Sequence, residues 1–210
     1  RQWEAIEAIE DPAERALQMA AYLLPHTAPE GYSDAVDLRR AIRKIGPEAV
    51  PALVEVLQKA RAEDNLNTTV LTLYDIGRTS SPEALRPAVP ALCKLLANPG
   101  PTSPYYILSP LKVAADPRAI LYVRPMLRHK SKQVRGQAAR ALAAMKDQES
   151  FHLIATLIED PPNPKDRLGY TLELARSLFE LDPVRARPII EQIESNPGNA
   201  GIHYFIHGYH

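Results

Sequence analysis

The sequence predicts an all-α fold, a stack of about six antiparallel helical hairpins with no sheet. Three observations carry this expectation. Apolar residues recur at steps of three and four in helix-length blocks that come in pairs, which is the pattern of one buried helix face. The residues that close the first block of each pair, Ile9, Ile45, Ile76, Ala115, Met145 and Leu181, are separated by 36, 31, 39, 30 and 36 residues. Twenty prolines stand against nine glycines, and proline is tolerated in the first helical turn, where its missing N–H has no partner to lose.

The stretch "VRGQAARALAAMKDQESFHLIATLIED", residues 134–160, shows the unit most clearly. Val134, Ala138, Ala141, Leu142 and Met145 share one helix face, and Phe151, Ile154, Leu157 and Ile158 share a second. "KDQES" between them is long enough only to turn the chain back on itself. The same two-helix pattern recurs in "LRRAIRKIGPEAVPALVEVLQ", with Leu38, Ala41, Ile42 and Ile45 followed by Val50, Leu53, Val56 and Leu57. It returns with Leu73 and Ile76 before Val89, Leu92, Leu95 and Leu96. Leu108, Leu111 and Ala115 precede Ile120, Val123, Met126 and Leu127. Leu174, Leu178 and Leu181 precede Ala186, Ile189 and Ile193. The first copy is the least regular, with Ile6 and Ile9, then Leu17, Ala20 and Ala21. The predicted hairpins span approximately 2–24, 35–59, 66–97, 105–129, 132–159 and 167–195, and an aromatic helix over 200–208 is expected as a cap or a partial repeat. Pro12, Pro47, Pro117 and Pro183 fall near hairpin turns, and 25–34, 98–104 and 160–166 read as loops between repeats. No linker divides the chain, so residues 1–210 are expected to form one repeat domain.

On the strength of "IGPEAVPALVEVLQ" and the 134–160 stretch, the chain resembles HEAT repeats, in particular the short HEAT-like type found in phycobilisome-lyase-related proteins. The drifting period disfavours strict tetratricopeptide or ankyrin arrays. The resemblance implies a right-handed, curved α-solenoid, with first helices on the convex face and second helices on the concave one. It also implies a class that hosts scaffolds, adaptors and a few enzymes, so function has to be argued from the surface.

Composition narrows that surface argument. Of 210 residues, 45% are hydrophobic, and 25 basic side chains balance 25 acidic ones, so no global field draws the chain to nucleic acid or membrane. Cys93 is the one cysteine, which leaves no internal disulfide and no CxxC metal site. No apolar run approaches the roughly 20 residues of a membrane-spanning helix. A cytoplasmic location is slightly favoured, while a start at Arg1 in place of methionine leaves a processed or secreted form open.

Local charge is less even. Residues 117–146 carry Arg118, Arg124, Arg128, Lys130, Lys132, Arg135, Arg140 and Lys146 without an acidic residue, and 147–196 carry ten acids against five bases. The plain reading is that these adjacent blocks attract each other; the functional reading is a patch for an anionic partner. The expected activity is non-catalytic binding of a protein or peptide on the concave face, through Glu55, Lys59, Lys94, Arg124, Arg128, Lys130, Lys132 and Arg135. Nucleic-acid or anion binding through 117–146 is the alternative, and a tetrapyrrole-lyase-like enzyme is a third. No catalytic residue, metal or cofactor is assigned. His203, His207 and His210 have partial metal-ligand spacing, but "HYFIH" lacks the glutamate of H-E-x-x-H. The His-Glu dipeptides of HEAT-like di-iron hydroxylases are absent, as are G-x-S-x-G and P-loop patterns.

Overall fold

The structure, a computed structural model, describes residues 2–23, 32–159 and 167–195. The expected helix at 200–208, the histidines at 203, 207 and 210 and the loop at 160–166 lie outside the described residues. Helices follow one another as α1 (Gln2–Glu7), α2 (Pro12–Leu23), α3 (Tyr32–Ile45), α4 (Val50–Lys59), α5 (Asn67–Thr79), α6 (Val89–Ala97) and α7 (Pro104–Ala114). They continue as α8 (Ile120–Val123), α9 (Lys132–Ala144), α10 (Phe151–Glu159), α11 (Arg167–Leu181) and α12 (Pro183–Glu194). No strand occurs among the described residues. By its packing the chain divides into two compact units, Arg1–Ala119 and Ile120–His210.

In the first unit the stacking rule is simple. First helices pack on first helices, α3 on α5 and α5 on α7, while α2 packs on α4 and α4 on α6. The buried faces explain why. Leu38 and Ile42 of α3, Leu73 and Ile76 of α5, and Leu108 and Leu111 of α7 are at most 2% exposed. Each such aliphatic side chain taken from water contributes about 1.5–3 kcal/mol. Gly77 makes room at the tightest point, because a Cβ there would collide with the Leu85 side chain and crowd Val113. The first hairpin departs from expectation. Its second helix buries Ala16, Met19 and Ala20, whereas Leu17 is 38% exposed. Two small residues and a flexible methionine set the contact stripe there, rotated one position from the one the leucine marks.

Three of the turns share a device that periodicity does not reveal. Asp11 Oδ1 accepts from the Ala13 N–H, Asp116 Oδ1 from the Arg118 N–H, and Asp182 Oδ1 from the N–H groups of Val184 and Arg185. Each aspartate satisfies otherwise unpaired donors at the start of a second helix and is followed by proline in its first turn. Several second helices are entered through a 3₁₀ segment, Gly46–Ala49, Pro82–Ala88, Pro117–Ala119 and Gln148–Ser150. Proline is not confined to helix starts, however; Pro110 and Pro188 sit inside α7 and α12.

In the second unit α9 is the centre. It packs against α11 and against the 3₁₀ segment Arg124–Arg128 that extends α8, while α11 packs on α10 and α12. Ala138, Ala139, Ala141, Leu142 and Ala143 of α9 are fully buried. Gly136 lies where a Cβ would press on the Glu173 carboxylate beside the Tyr170 ring, so α9 and α11 meet at close range. The helix ends on Lys146 in the left-handed region, with φ 58°. There the Lys146 N–H donates to Ala143 O and the Asp147 N–H to Leu142 O, closing the helix without a glycine.

Helix-face assignment gives a direct test. Ala141→Glu buries an unpaired carboxylate and should cost several kcal/mol, a large part of the roughly 5–15 kcal/mol available to a domain. Arg140→Gln should cost at most about 1 kcal/mol, since Arg140 meets Glu173 at 3.4 Å with both side chains about 40% exposed. Thermal melts of the two variants check this, and an Ala141→Glu protein that melts with wild type contradicts the assignment.

Candidate docking clefts on the second helices

Two clefts open between consecutive second helices, one in each unit. The first, of about 280 Å³, has Leu57 and Gln58 of α4 on one wall and Ala91, Lys94 and Leu95 of α6 on the other. Arg61, Asn98 and Pro99 close its end. The loops there are held one repeat apart, the Leu66 N–H donating to Thr102 Oγ1 and the Ser103 N–H to Asn67 Oδ1. Gly100, at φ 53°, brings the chain so near the Ala62 carbonyl that a methyl group has no place.

The second cleft, of about 380 Å³, is lined by Leu121, Arg124, Pro125, Leu127 and Arg128 on one side and Leu153, Thr156 and Leu157 of α10 on the other. Leu121 is 75% exposed and the neighbouring Tyr122 is exposed as well. When the buried positions of the helices are aligned, Ala49 with Ala119 and Ala88 with Ser150, the walls correspond. Leu57 and Gln58 match Leu127 and Arg128, and Ala91, Lys94 and Leu95 match Leu153, Thr156 and Leu157.

The basic block of 117–146 is largely occupied by the acids that surround it. Arg118 forks onto Asp116 and also donates to Arg86 O. Arg124 donates from Nε and Nη2 to the two oxygens of Asp147, at 2.8 and 2.5 Å, and its Nη1 lies 2.7 Å from Glu149. Arg140 meets Glu173, and Lys146 meets Glu180 at 3.6 Å. Arg135 donates to Tyr170 Oη and to the carbonyls of His129 and Lys130, with its guanidinium over the Tyr170 ring.

Among the residues expected to contact a partner, then, the structure separates different roles. Arg124, expected as an exposed contact, has a side chain only 27% exposed and is bound to two carboxylates. It lines the cleft while holding the next turn in place. Arg135 likewise fastens α9 to α11. Glu55 and Lys59 pair with each other one turn apart on α4. Lys94 lines the first cleft and Arg128 the second, both exposed. Lys130 is exposed in the turn before α9, and Lys132 opens that helix. Leu121 and Leu153, cleft walls that sequence reasoning missed, had one signal: leucines falling between the inward positions of their helices.

Electrostatics follows from these partners. Burial pushes the Asp147 carboxyl upward, but the Arg124 guanidinium and the Ser150 hydroxyl, which donates to Oδ2, outweigh it and hold the group below its ordinary 3.8. Burial, with the Asp116 charge nearby, pushes the Cys93 thiol up to about 11, so it is an un-ionised, unreactive core group at neutral pH. Among the described residues no group of three or more His, Cys, Asp or Glu is placed to hold a metal ion. No described helix is long and apolar enough to cross a membrane.

The fold is an all-helical repeat architecture. Within it, residues 134–160, the α9–α10 hairpin, match the family described as PBS lyase HEAT-like repeat. Comparison with curated proteins gives no match.

The Asp147–Arg124 pair predicts a pH signature. Asp147→Asn should cost about 2–3 kcal/mol, less than a fully buried pair because Arg124 keeps some contact with water. The depressed carboxyl contributes stability that is complete above its unfolded value near 3.8 and is lost as pH falls through the lower folded value. Urea melts of wild type and Asp147→Asn should therefore differ by a constant amount at neutral pH, and the gap should narrow steadily as pH falls below the unfolded value of 3.8. A gap that persists unchanged into acid contradicts the assigned ion pair.

Proposed function

We propose that the chain is a non-catalytic scaffold that binds a protein or peptide segment along its second helices. One observation carries this reading: the same cleft recurs at equivalent positions of two repeats. Repeat stacking generates surface by adding units, and a groove made between units is copied with them. A chemical centre, in contrast, has no reason to recur. Both clefts join aliphatic residues to charged ones, Lys94 and Arg61 with Asp64 in one and Arg124 and Arg128 in the other, which is a surface for recognition. Among the described residues neither is lined by a histidine or a cysteine, the side chains that most often serve as general base or nucleophile near neutral pH. The ion pairs that Arg118, Arg124, Arg140 and Lys146 make with acids outside 117–146 also leave fewer cations for a phosphate backbone than the sequence advertises.

Selection of random peptides displayed against the intact chain tests the reading. Enriched peptides should lose at least about tenfold in affinity, roughly 1.4 kcal/mol, when Leu57→Asp and Leu157→Asp place charge in the clefts, while the variants' helical content and melting stay near wild type. Failure to enrich any peptide, or binding that ignores both substitutions, would contradict it.

A further inference from the structure

We infer that the cleft of the second unit recognises an aliphatic side chain carried beside a carboxylate, that is, an acidic–aliphatic peptide segment. The inference rests on the scaffold reading and specifies its partner. Leu121, Leu127, Leu153 and Leu157, with Pro125, present an apolar surface, and among the described residues no acidic one lines the cleft. Two guanidiniums do. That of Arg124 is committed to Asp147 and Glu149, so it cannot recognise a ligand without dismantling the turn at 146–150. Arg128 is exposed and meets no carboxylate among the described residues. Lys130, two positions on, is exposed too, and its side chain has no acidic partner among the described residues.

The division of labour between the two arginines gives the site its chemistry. Arg124 is fixed by its acids and holds the α8 wall against the 147–150 turn, which leads directly into the α10 wall. Arg128, one helical turn along on the same wall, keeps a planar donor fork for a carboxylate. Leu121 exposes three quarters of its surface at the rim, an arrangement that favours an apolar visitor, since covering it removes apolar area from water. A polyanion such as nucleic acid calls for several cations in a row; of the two cations left without an acidic partner, Arg128 and Lys130, only Arg128 lines the leucine-walled cleft, which suits one carboxylate next to one aliphatic group.

The test is an NMR chemical-shift titration of the intact protein with Gly-Ser peptides holding two leucines followed, one to four positions later, by Glu, Gln or Lys. The expected result is a set of shifts at 121–128 and 153–157, with the best Glu peptide bound about tenfold more tightly than its Gln twin. That preference should vanish in Arg128→Gln and turn towards the Lys peptides in Arg128→Glu, while Leu157→Asp abolishes the shifts. Equal binding of Glu and Gln peptides, or an unchanged preference in Arg128→Gln, overturns the inferred chemistry. Shifts confined to other surfaces overturn the site. In both cases peptides enriched by display would leave the scaffold reading standing. Displacement of the Glu peptide by a short DNA duplex at physiological salt, lost in Arg128→Glu, would assign the cation to nucleic acid instead and overturn the inference.

Discussion

A pair of short helices cannot bury two apolar faces by closing on itself. The apolar stripe of each helix has to be covered by neighbouring hairpins or remain in water. Ala138, Ala139, Ala141 and Leu142 of α9 are all fully buried, although they span more of the helix circumference than one partner covers. The segment Arg124–Arg128 and α11 share that surface. The second unit therefore depends on contacts between repeats, and the small side chains of α9, with Gly136 beside Tyr170 and Glu173, set how closely they are made.

Polar contacts follow the same spacing. Arg39 reaches Asp75 across 36 residues, Arg135 reaches Tyr170 across 35, and the Gln148 amide reaches Leu181 O across 33. Each links one repeat to the next. Half-exposed pairs of this kind contribute little energy singly, but they specify register, because a hairpin that slid along its neighbour would lose them together. The Arg124–Asp147 pair is different. With one partner almost fully buried, its removal exposes a desolvated charge, so it fixes the turn that leads into α10 and through it one wall of the cleft.

How much of this was legible in the sequence depends on the range over which each feature is encoded. Hairpins are local, and the three-and-four spacing located Leu38, Ile42, Leu73, Ile76, Leu142 and Ile154, all at most 2% exposed in the fold. The charge asymmetry was also legible, and its plain reading, attraction between adjacent blocks, is realised by Arg124, Arg140 and Lys146. Which arginine is committed was not legible. Arg124 and Arg128 look alike at one helical turn's separation, and only the return of the chain at Asp147 tells them apart. Leu17 misled because size was read as burial, whereas the α2 stripe is set by Ala16, Met19 and Ala20. Leu121 escaped notice because a cleft between repeats belongs to no single helix pattern.

These points converge on one claim, that each hairpin owes its order to the next and that the clefts are by-products of this packing. Hydrogen exchange on a Gly136→Leu variant tests it most directly, since the added side chain would push Tyr170 and Glu173 away from α9. The account predicts that amides in both α9 and α11 lose protection together. Loss confined to α9, with α11 as protected as in wild type, would contradict it.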